Sequence, residues 1–171
     1  TRRRENVFYG RFHGTMVVNC IAGVDINDMG GKDLYGLATG AEFLLAKTEV
    51  LTEPYSEEEN WIAALEWADR LGADIINCSL GYTRSRYFIE DMNGNTSLVS
   101  KGAKLAAKKG ILVVVSAGNE GSSKWKYISS PGDADSVLTV GGISPRTGYH
   151  IDFSSYGPTS DWRIKPDVVA L

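Results

Sequence analysis

Two polar residues beside glycines give this sequence its clearest capacity for chemistry. His13 stands before Gly14 at the start of an apolar segment with helical spacing. A histidine at the amino end of a helix favours the neutral imidazole, which is the form that acts as a general base. Asn119 lies between Gly118 and Gly121 in a turn after an apolar run, where its amide could donate to a developing oxyanion. Each residue alone has an ordinary alternative, namely an exposed or capping histidine and a turn-forming asparagine.

Alternating helix and strand patterns surround these residues and predict an α/β fold. Helical periodicity and closing glycines predict helices over 14–23, 56–71 and 97–109, and apolar runs predict strands over 41–46, 73–78, 111–115 and 136–140, with an extended piece over 152–154. The β-branched run 111–115 is typical of a strand buried in a parallel sheet. We therefore expect a three-layer α/β/α domain with a mostly parallel sheet, in which the first three strands are neighbours and helices cover both faces.

Two serines are predicted to begin helices. Ser56 followed by Glu59 matches a capping box, in which each residue satisfies a backbone N–H of the other's turn. Ser97 precedes the third helix and is predicted to cap it through its hydroxyl.

Composition excludes several classes of protein. The 171 residues suit one domain, and 18 basic against 21 acidic residues leave no basic surplus for nucleic acid. No apolar run approaches the ~20 residues of a membrane helix, and no secretory signal pattern follows the first four residues. Cys20 and Cys78 stand far apart among apolar neighbours, which predicts buried free thiols rather than a metal site or a disulfide.

Six short blocks occur along the chain in a fixed order. They are 13–17 (HGTMV), 75–81 (IINCSLG), 115–121 (VSAGNEG), 130–132 (SPG), 153–158 (FSSYGP) and 164–168 (IKPDV). In this order they resemble the subtilisin-like serine peptidases, the subtilases, and the likeness runs from Phe12 to Leu171. The sequence around Glu49, over 55–67 and over 79–82 is similar to that of subtilases of the Bacteroidetes type. The resemblance implies an incomplete subtilisin-like fold and a secreted or cell-envelope parent protein.

The resemblance also implies roles for individual residues in a serine endopeptidase. His13 would be the base of the Ser/His/Asp triad, and Asn119 would be the side-chain half of the oxyanion hole. The partner would be a peptide or protein substrate in an extended conformation. Its P1 pocket would be framed by two backbone walls, which consist of Ser79, Leu80 and Gly81 and of Ser116, Ala117 and Gly118.

This sequence has no block that matches the aspartate or the serine nucleophile of the family's catalytic triad. The family's aspartate stands upstream of the histidine, and none of the twelve residues before His13 is an aspartate. The family's nucleophile stands in a Gly-Thr-Ser block after the segment that 164–168 matches. We therefore expect residues 1–171 to be the central part of a catalytic domain, lacking the N-terminal Asp segment and the C-terminal Ser segment. Such a chain would be inactive alone, and its exposed sheet edges would favour self-association.

The serines within the chain do not fit the place of the nucleophile. Ser97 follows Gly94, Asn95 and Thr96, but it lies between the histidine and the oxyanion asparagine, which is the wrong chain order. Ser154 and Ser155 belong to the 153–158 block, which is structural in the family.

Other interpretations of the chain stay open. A non-catalytic binding scaffold would keep the same fold, whereas a nucleotide-binding domain is disfavoured because no GxGxxG or Walker lysine loop occurs. The acidic stretch 25–33 could hold a structural calcium ion or be a solvated loop, and its spacing is not that of an EF-hand. No other cofactor is expected.

A second acidic patch contains Glu53, Glu57, Glu58 and Glu59. These carboxylates could complement the dipole of the helix that begins there. With Glu49, they could instead favour basic side chains in a substrate.

Overall fold

The computed structural model describes residues 12–26, 32–50 and 54–171. The chain divides into two compact units, Thr1–Lys47 and Thr48–Leu171.

In the first unit, the described residues form one helix and one pair of strands. Helix α1 spans His13–Ala22, and strands β1 (Val24–Ile26) and β2 (Lys32–Leu34) pair antiparallel. Helix α1 ends where the N–H of Gly23 donates to the carbonyl of Asn19 at 2.7 Å. The prediction of a buried thiol at Cys20 is wrong, because Cys20 is exposed on a helix that buries none of its residues.

The described ends of the acidic stretch 25–33 belong to these two strands. The backbone pairs Asp25 with Asp33 across the two strands, while residues 27–31, with Asn27 and Asp28 as two of the four possible calcium ligands, lie outside the described residues. Within the described part of the chain, no three His, Cys, Asp or Glu side chains gather closely enough to hold a metal ion. The donor set that is described therefore gives no support for a calcium site.

The prediction of a strand over 41–46 is wrong. Residues 42–50 form neither helix nor strand, and Phe43 and Leu44 are exposed. A short apolar run does not by itself distinguish a strand from other conformations, because a strand also requires a hydrogen-bonded neighbour.

The second unit contains a four-stranded parallel sheet. Its strands are β3 (Ile75–Cys78), β4 (Leu112–Ser116), β5 (Leu138–Gly142) and β6 (Val168–Ala170), hydrogen-bonded in that order. The predicted strands over 73–78 and 111–115 are confirmed as neighbours, and the strand predicted over 136–140 begins two residues later. Residues 152–154 form turns rather than an extended piece, and β6 was not predicted.

Two helices cover one face of this sheet. Helices α2 (Ser56–Arg70) and α3 (Leu98–Lys108) pack against each other, and α3 packs against β4. Their buried side chains meet those of the strands in one core, which includes Trp61, Leu65, Val99, Ala103, Cys78, Val113 and Val115. Burial of each large aliphatic side chain in such a core contributes about 1.5–3 kcal/mol. On the other face, Ile75 and Leu112 are paired in register and exposed.

One of the two predicted helix caps is confirmed, and the other is wrong. The Ser97 hydroxyl accepts a hydrogen bond from the N–H of Ser100 at 3.0 Å, which confirms the predicted cap of α3. The predicted capping box of α2 is wrong, because Tyr55 is the N-cap residue and Ser56 already lies in the helix. Among the described residues, no helix is long and apolar enough to cross a membrane.

Candidate active site

Both predicted substrate walls lie at the carboxyl edge of the parallel sheet. The wall formed by residues 79–81 follows β3, the wall formed by residues 116–118 follows β4, and the two strands are hydrogen-bonded neighbours. An open pocket of about 100 Å³ lies between them, lined by Ser79, Gly81, Thr83, Ser116, Gly118, Asn119, Glu120 and Ser129. Ligands of parallel α/β sheets bind beyond this edge of the strands. The structure therefore brings Asn119 and four of the six predicted wall residues together.

The other two wall residues have their side chains directed to the core. Leu80 packs against the hydrophobic cluster beneath the sheet, and Ala117 is fully buried. Their backbone remains in the walls, which is the part that the predicted role requires.

The segment 129–130 is joined to both walls by backbone hydrogen bonds. Tyr82 and Ser130 exchange two backbone hydrogen bonds of 2.9 and 3.2 Å, which tie the first wall to residues 129–130. The N–H of Ser129 donates to the carbonyl of Ala117 at 3.1 Å, which ties in the second wall. The separation of the walls is therefore set by backbone hydrogen bonds rather than by side-chain packing alone.

Glycine is required in each wall for steric reasons. A Cβ atom on Gly81 would collide with the Ser129 hydroxyl. A Cβ atom on Gly118 would lie 2.6 Å from the same hydroxyl, and Gly118 has a φ of +104°, which L-residues with side chains rarely adopt. At both positions the wall backbone therefore lies closer to the Ser129 hydroxyl than a residue with a side chain would allow.

Asn119 lies at the rim of the pocket with its side chain exposed. In the part of the chain that the structure describes, its side-chain amide makes no hydrogen bond. An exposed amide on a fixed turn can donate to a ligand without first breaking an internal contact.

His13 is the first residue of α1 and is exposed. It belongs to the first compact unit, whereas Asn119 belongs to the second. A shared cleft for His13 and Asn119 therefore stays a prediction. The second histidine, His150, is exposed, and its ring stacks on Tyr156 with 4.1 Å between centroids.

The second acidic patch is largely neutralised inside the protein. Glu57 and Glu58 are buried, and the Arg86 guanidinium binds both, at 3.0 Å from Glu57 Oε2 and 3.2 Å from Glu58 Oε1. Arg86 also lies 4.4 Å from the ring centroid of Tyr82. Burial opposes its charge, but the Glu58 and Glu57 carboxylates raise the pKa of Arg86, so the guanidinium stays ionised. Two of the four predicted carboxylates are therefore unavailable to a substrate, while Glu53 lies outside the described residues.

Ser97 contributes to a buried cluster of hydroxyl groups. Its oxygen is hydrogen-bonded to those of Ser100 and Ser130, and Ser100 donates to Asp133 Oδ1 at 2.5 Å. Burial raises the pKa of Asp133, although the Ser100 hydroxyl opposes this shift. All four residues are fully buried. This cluster agrees with the prediction that Ser97 is a helix cap and not a nucleophile.

Three pocket residues were not identified from the sequence, namely Thr83, Glu120 and Ser129. Thr83 lies two residues beyond the 75–81 block, and Glu120 lies within the 115–121 block, where the sequence assigned it no role. Ser129 reaches the pocket because its segment folds under both walls, and no local pattern shows this contact.

Comparison with known proteins finds related sequences. A family model described as the Subtilase family matches residues 3–171. Subtilisin NAT of Bacillus subtilis subsp. natto is 33% identical over 154 residues, which cover 89% of this chain and 36% of that protein. The minor extracellular protease Vpr of Bacillus subtilis is 30% identical over 162 residues, covering 93% and 18%.

A solved structure shares the fold as well. The self-cleaved protease domain of PatA superposes with a TM-score of 0.67 at 24% identity, covering 91% of this chain and 52% of that one. The chain thus spans about a third of the length of subtilisin NAT and about half of the PatA domain.

Proposed function

This chain belongs to the subtilase family, and from that membership we propose that it supplies the base and an oxyanion donor of a serine endopeptidase. In the parent protein, a serine hydroxyl attacks the scissile carbonyl while His13 accepts the hydroxyl proton. The carbonyl oxygen becomes an oxyanion, to which the Asn119 amide donates. His13 then returns the proton to the departing amine, and water hydrolyses the acyl-enzyme by the same route. The serine, and an aspartate that orients His13, are assigned to no residue of this chain.

The observation that carries this proposal is the pocket at the carboxyl edge of β3 and β4. Two glycine-containing walls face each other across it, and the exposed amide of Asn119 stands at its rim. We infer that an extended peptide runs along the walls and places its P1 side chain in the pocket. The small volume and the hydroxyl groups of Ser79, Thr83 and Ser129 favour a small or polar side chain there.

The name of one relative bears on the location of the parent protein. That relative is named an extracellular protease, and we propose a secreted or cell-envelope location for the parent on that ground. We also propose that the chain alone self-associates through the exposed face that carries Ile75 and Leu112.

The experiment that tests the proposal replaces Asn119 by alanine in the full-length parent protein. We expect kcat for a peptide substrate to fall by about 10²–10³-fold with little change in KM, because the amide acts mainly on the oxyanion. Asn95→Ala is the matched control, since Asn95 is exposed and bonded to Lys104, away from the pocket. Unchanged kcat in Asn119→Ala would exclude Asn119 as the oxyanion donor, whereas a parent protein without peptidase activity would favour the alternative of a non-catalytic scaffold.

The chain of residues 1–171 alone is expected to resist labelling by a fluorophosphonate probe, while the parent protein is labelled. Ser97, Ser154 and Ser155 are at most 3% exposed, so a probe has little access to them, and each hydroxyl oxygen already accepts a hydrogen bond from a backbone N–H. Mass spectrometry of the treated chain checks this. An adduct on any of the three serines would show that the nucleophile lies within this chain.

A further inference from the structure

We propose that Ser155 is a positioning residue that fixes the backbone on both sides of Asn119. Its N–H donates to the carbonyl of Gly118 at 2.9 Å, and its hydroxyl oxygen accepts from the N–H of Glu120 at 3.0 Å. These two partners are the residues immediately before and after Asn119. Ser155 therefore holds both neighbours of the oxyanion donor from a single point. The inference rests on the proposed function, and it assigns to Ser155 a role in the reaction that the sequence did not indicate.

Burial and close packing around Ser155 preserve these two hydrogen bonds. Ser155 is 1% exposed, so water has little access to replace its hydrogen bonds. A Cβ atom on Gly118 would lie only 2.9 Å from the Ser155 hydroxyl, so glycine is what lets the two segments meet. The N–H of Gly121 also donates to the carbonyl of Phe153 at 2.8 Å, which extends the contact by one further bond. The 153–155 segment thus forms the support of the turn that carries Asn119.

Fixed geometry matters at this position because oxyanion stabilisation depends on where the donor is held before the reaction. A preorganised donor needs no rearrangement as charge develops, and a misplacement of about 1 Å can cost as much as 10²-fold in rate. The Asn119 side chain has no hydrogen bond of its own among the described residues, so its placement depends on the backbone beneath it. Loss of the Ser155 hydroxyl leaves the Glu120 N–H without this acceptor, so that the carboxyl side of the turn is held less tightly.

The neighbouring Ser154 offers a matched control. It is 3% exposed, and its hydroxyl oxygen also accepts one backbone N–H, that of Gly142 at 2.9 Å. Gly142 is the last residue of β5 and does not line the pocket. Ser154→Ala and Ser155→Ala therefore delete the same group and the same kind of hydrogen bond, and only the second touches the Asn119 turn.

The test measures kcat and KM of both variants in the full-length parent protein. We expect Ser155→Ala to lower kcat by roughly tenfold with KM changed little, and Ser154→Ala to keep kcat within about twofold of the parent. A double-mutant cycle with Asn119→Ala is the decisive arm. If Ser155 acts through Asn119, adding Ser155→Ala to Asn119→Ala lowers kcat no further, whereas an independent structural effect would add.

The outcomes separate this inference from the function on which it rests. Unchanged kcat in Asn119→Ala contradicts the proposed function itself. A large loss in Asn119→Ala with equal effects of the two serine variants, or with additive losses in the cycle, overturns the role of Ser155 alone. If Ser155→Ala does not fold, Ser155→Cys is measured by the same criteria, since its sulfur is a weaker acceptor at the same place.

Discussion

Replacing His13 by alanine in the full-length parent protein is expected to lower kcat/KM by about 10⁴-fold or more. That is the scale known for loss of a triad member in serine peptidases, including subtilisin. Without the imidazole, no group accepts the proton of the attacking serine or returns it to the leaving amine. Initial rates on a peptide substrate, with KM measured separately, check the expectation. KM should change little, because the imidazole acts in the chemical step and not in holding the peptide.

The chain offers a matched control in its second histidine. His150 is exposed and stacks on Tyr156, so His150→Ala removes the same ring from the surface. Its kcat/KM should stay close to that of the parent. A His13→Ala enzyme that retained activity within tenfold of the parent would exclude His13 as the base.

Elements with strong local patterns could be predicted from the sequence. The β-branched run 111–115 became β4, and the Ser97 cap formed as predicted, because both depend on residues close together in the chain. The neighbouring placement of the two walls also followed, since residues after adjacent parallel strands must share one edge of the sheet. This rule placed Asn119 beside residues 79–81 without any knowledge of their side chains.

Elements that depend on distant partners could not be predicted in the same way. Strand β6 has only three residues, and it is a strand because Val168 to Ala170 pair with Val140 to Gly142 of β5. The apolar run 41–46 has a better local pattern and forms no strand. Short strands are thus decided by the neighbours that the fold supplies rather than by their own composition.

The same limit applied to charged and polar side chains. Glu57 and Glu58 matched the acidic first turn of a helix, and nothing in their spacing pointed to Arg86, which lies 28 residues beyond Glu58. Ser155 was placed in a structural block, yet its two hydrogen bonds around Asn119 depend on a contact across 35 residues of sequence. Sequence patterns therefore located the turn that carries Asn119 but not the residues that support it.

Arg86→Met is expected to lower the free energy of unfolding by about 3–5 kcal/mol. Arg86, Glu57 and Glu58 have side chains no more than 6% exposed, so loss of the guanidinium leaves two buried carboxylates without their cation. The Tyr87 hydroxyl still donates to Glu58 Oε2 at 2.6 Å, but a neutral donor does not replace the lost charge. Urea unfolding of the variant and the parent, followed by circular dichroism, measures the difference.

Two further variants test the cause of this loss. Lys109→Met removes a cation from a solvent-exposed pair with Asp69, so it should cost no more than about 1 kcal/mol. Adding Glu57→Gln and Glu58→Gln to Arg86→Met should recover part of the stability, because neutral amides remove the uncompensated charge. A loss in Arg86→Met no larger than that in Lys109→Met would show that the ion cluster does not hold the start of α2.

The ion cluster is also connected to the pocket. Arg86 stacks on Tyr82, and the backbone of Tyr82 pairs with Ser130. Unfolding of this cluster should therefore loosen the first wall of the pocket before the sheet itself melts.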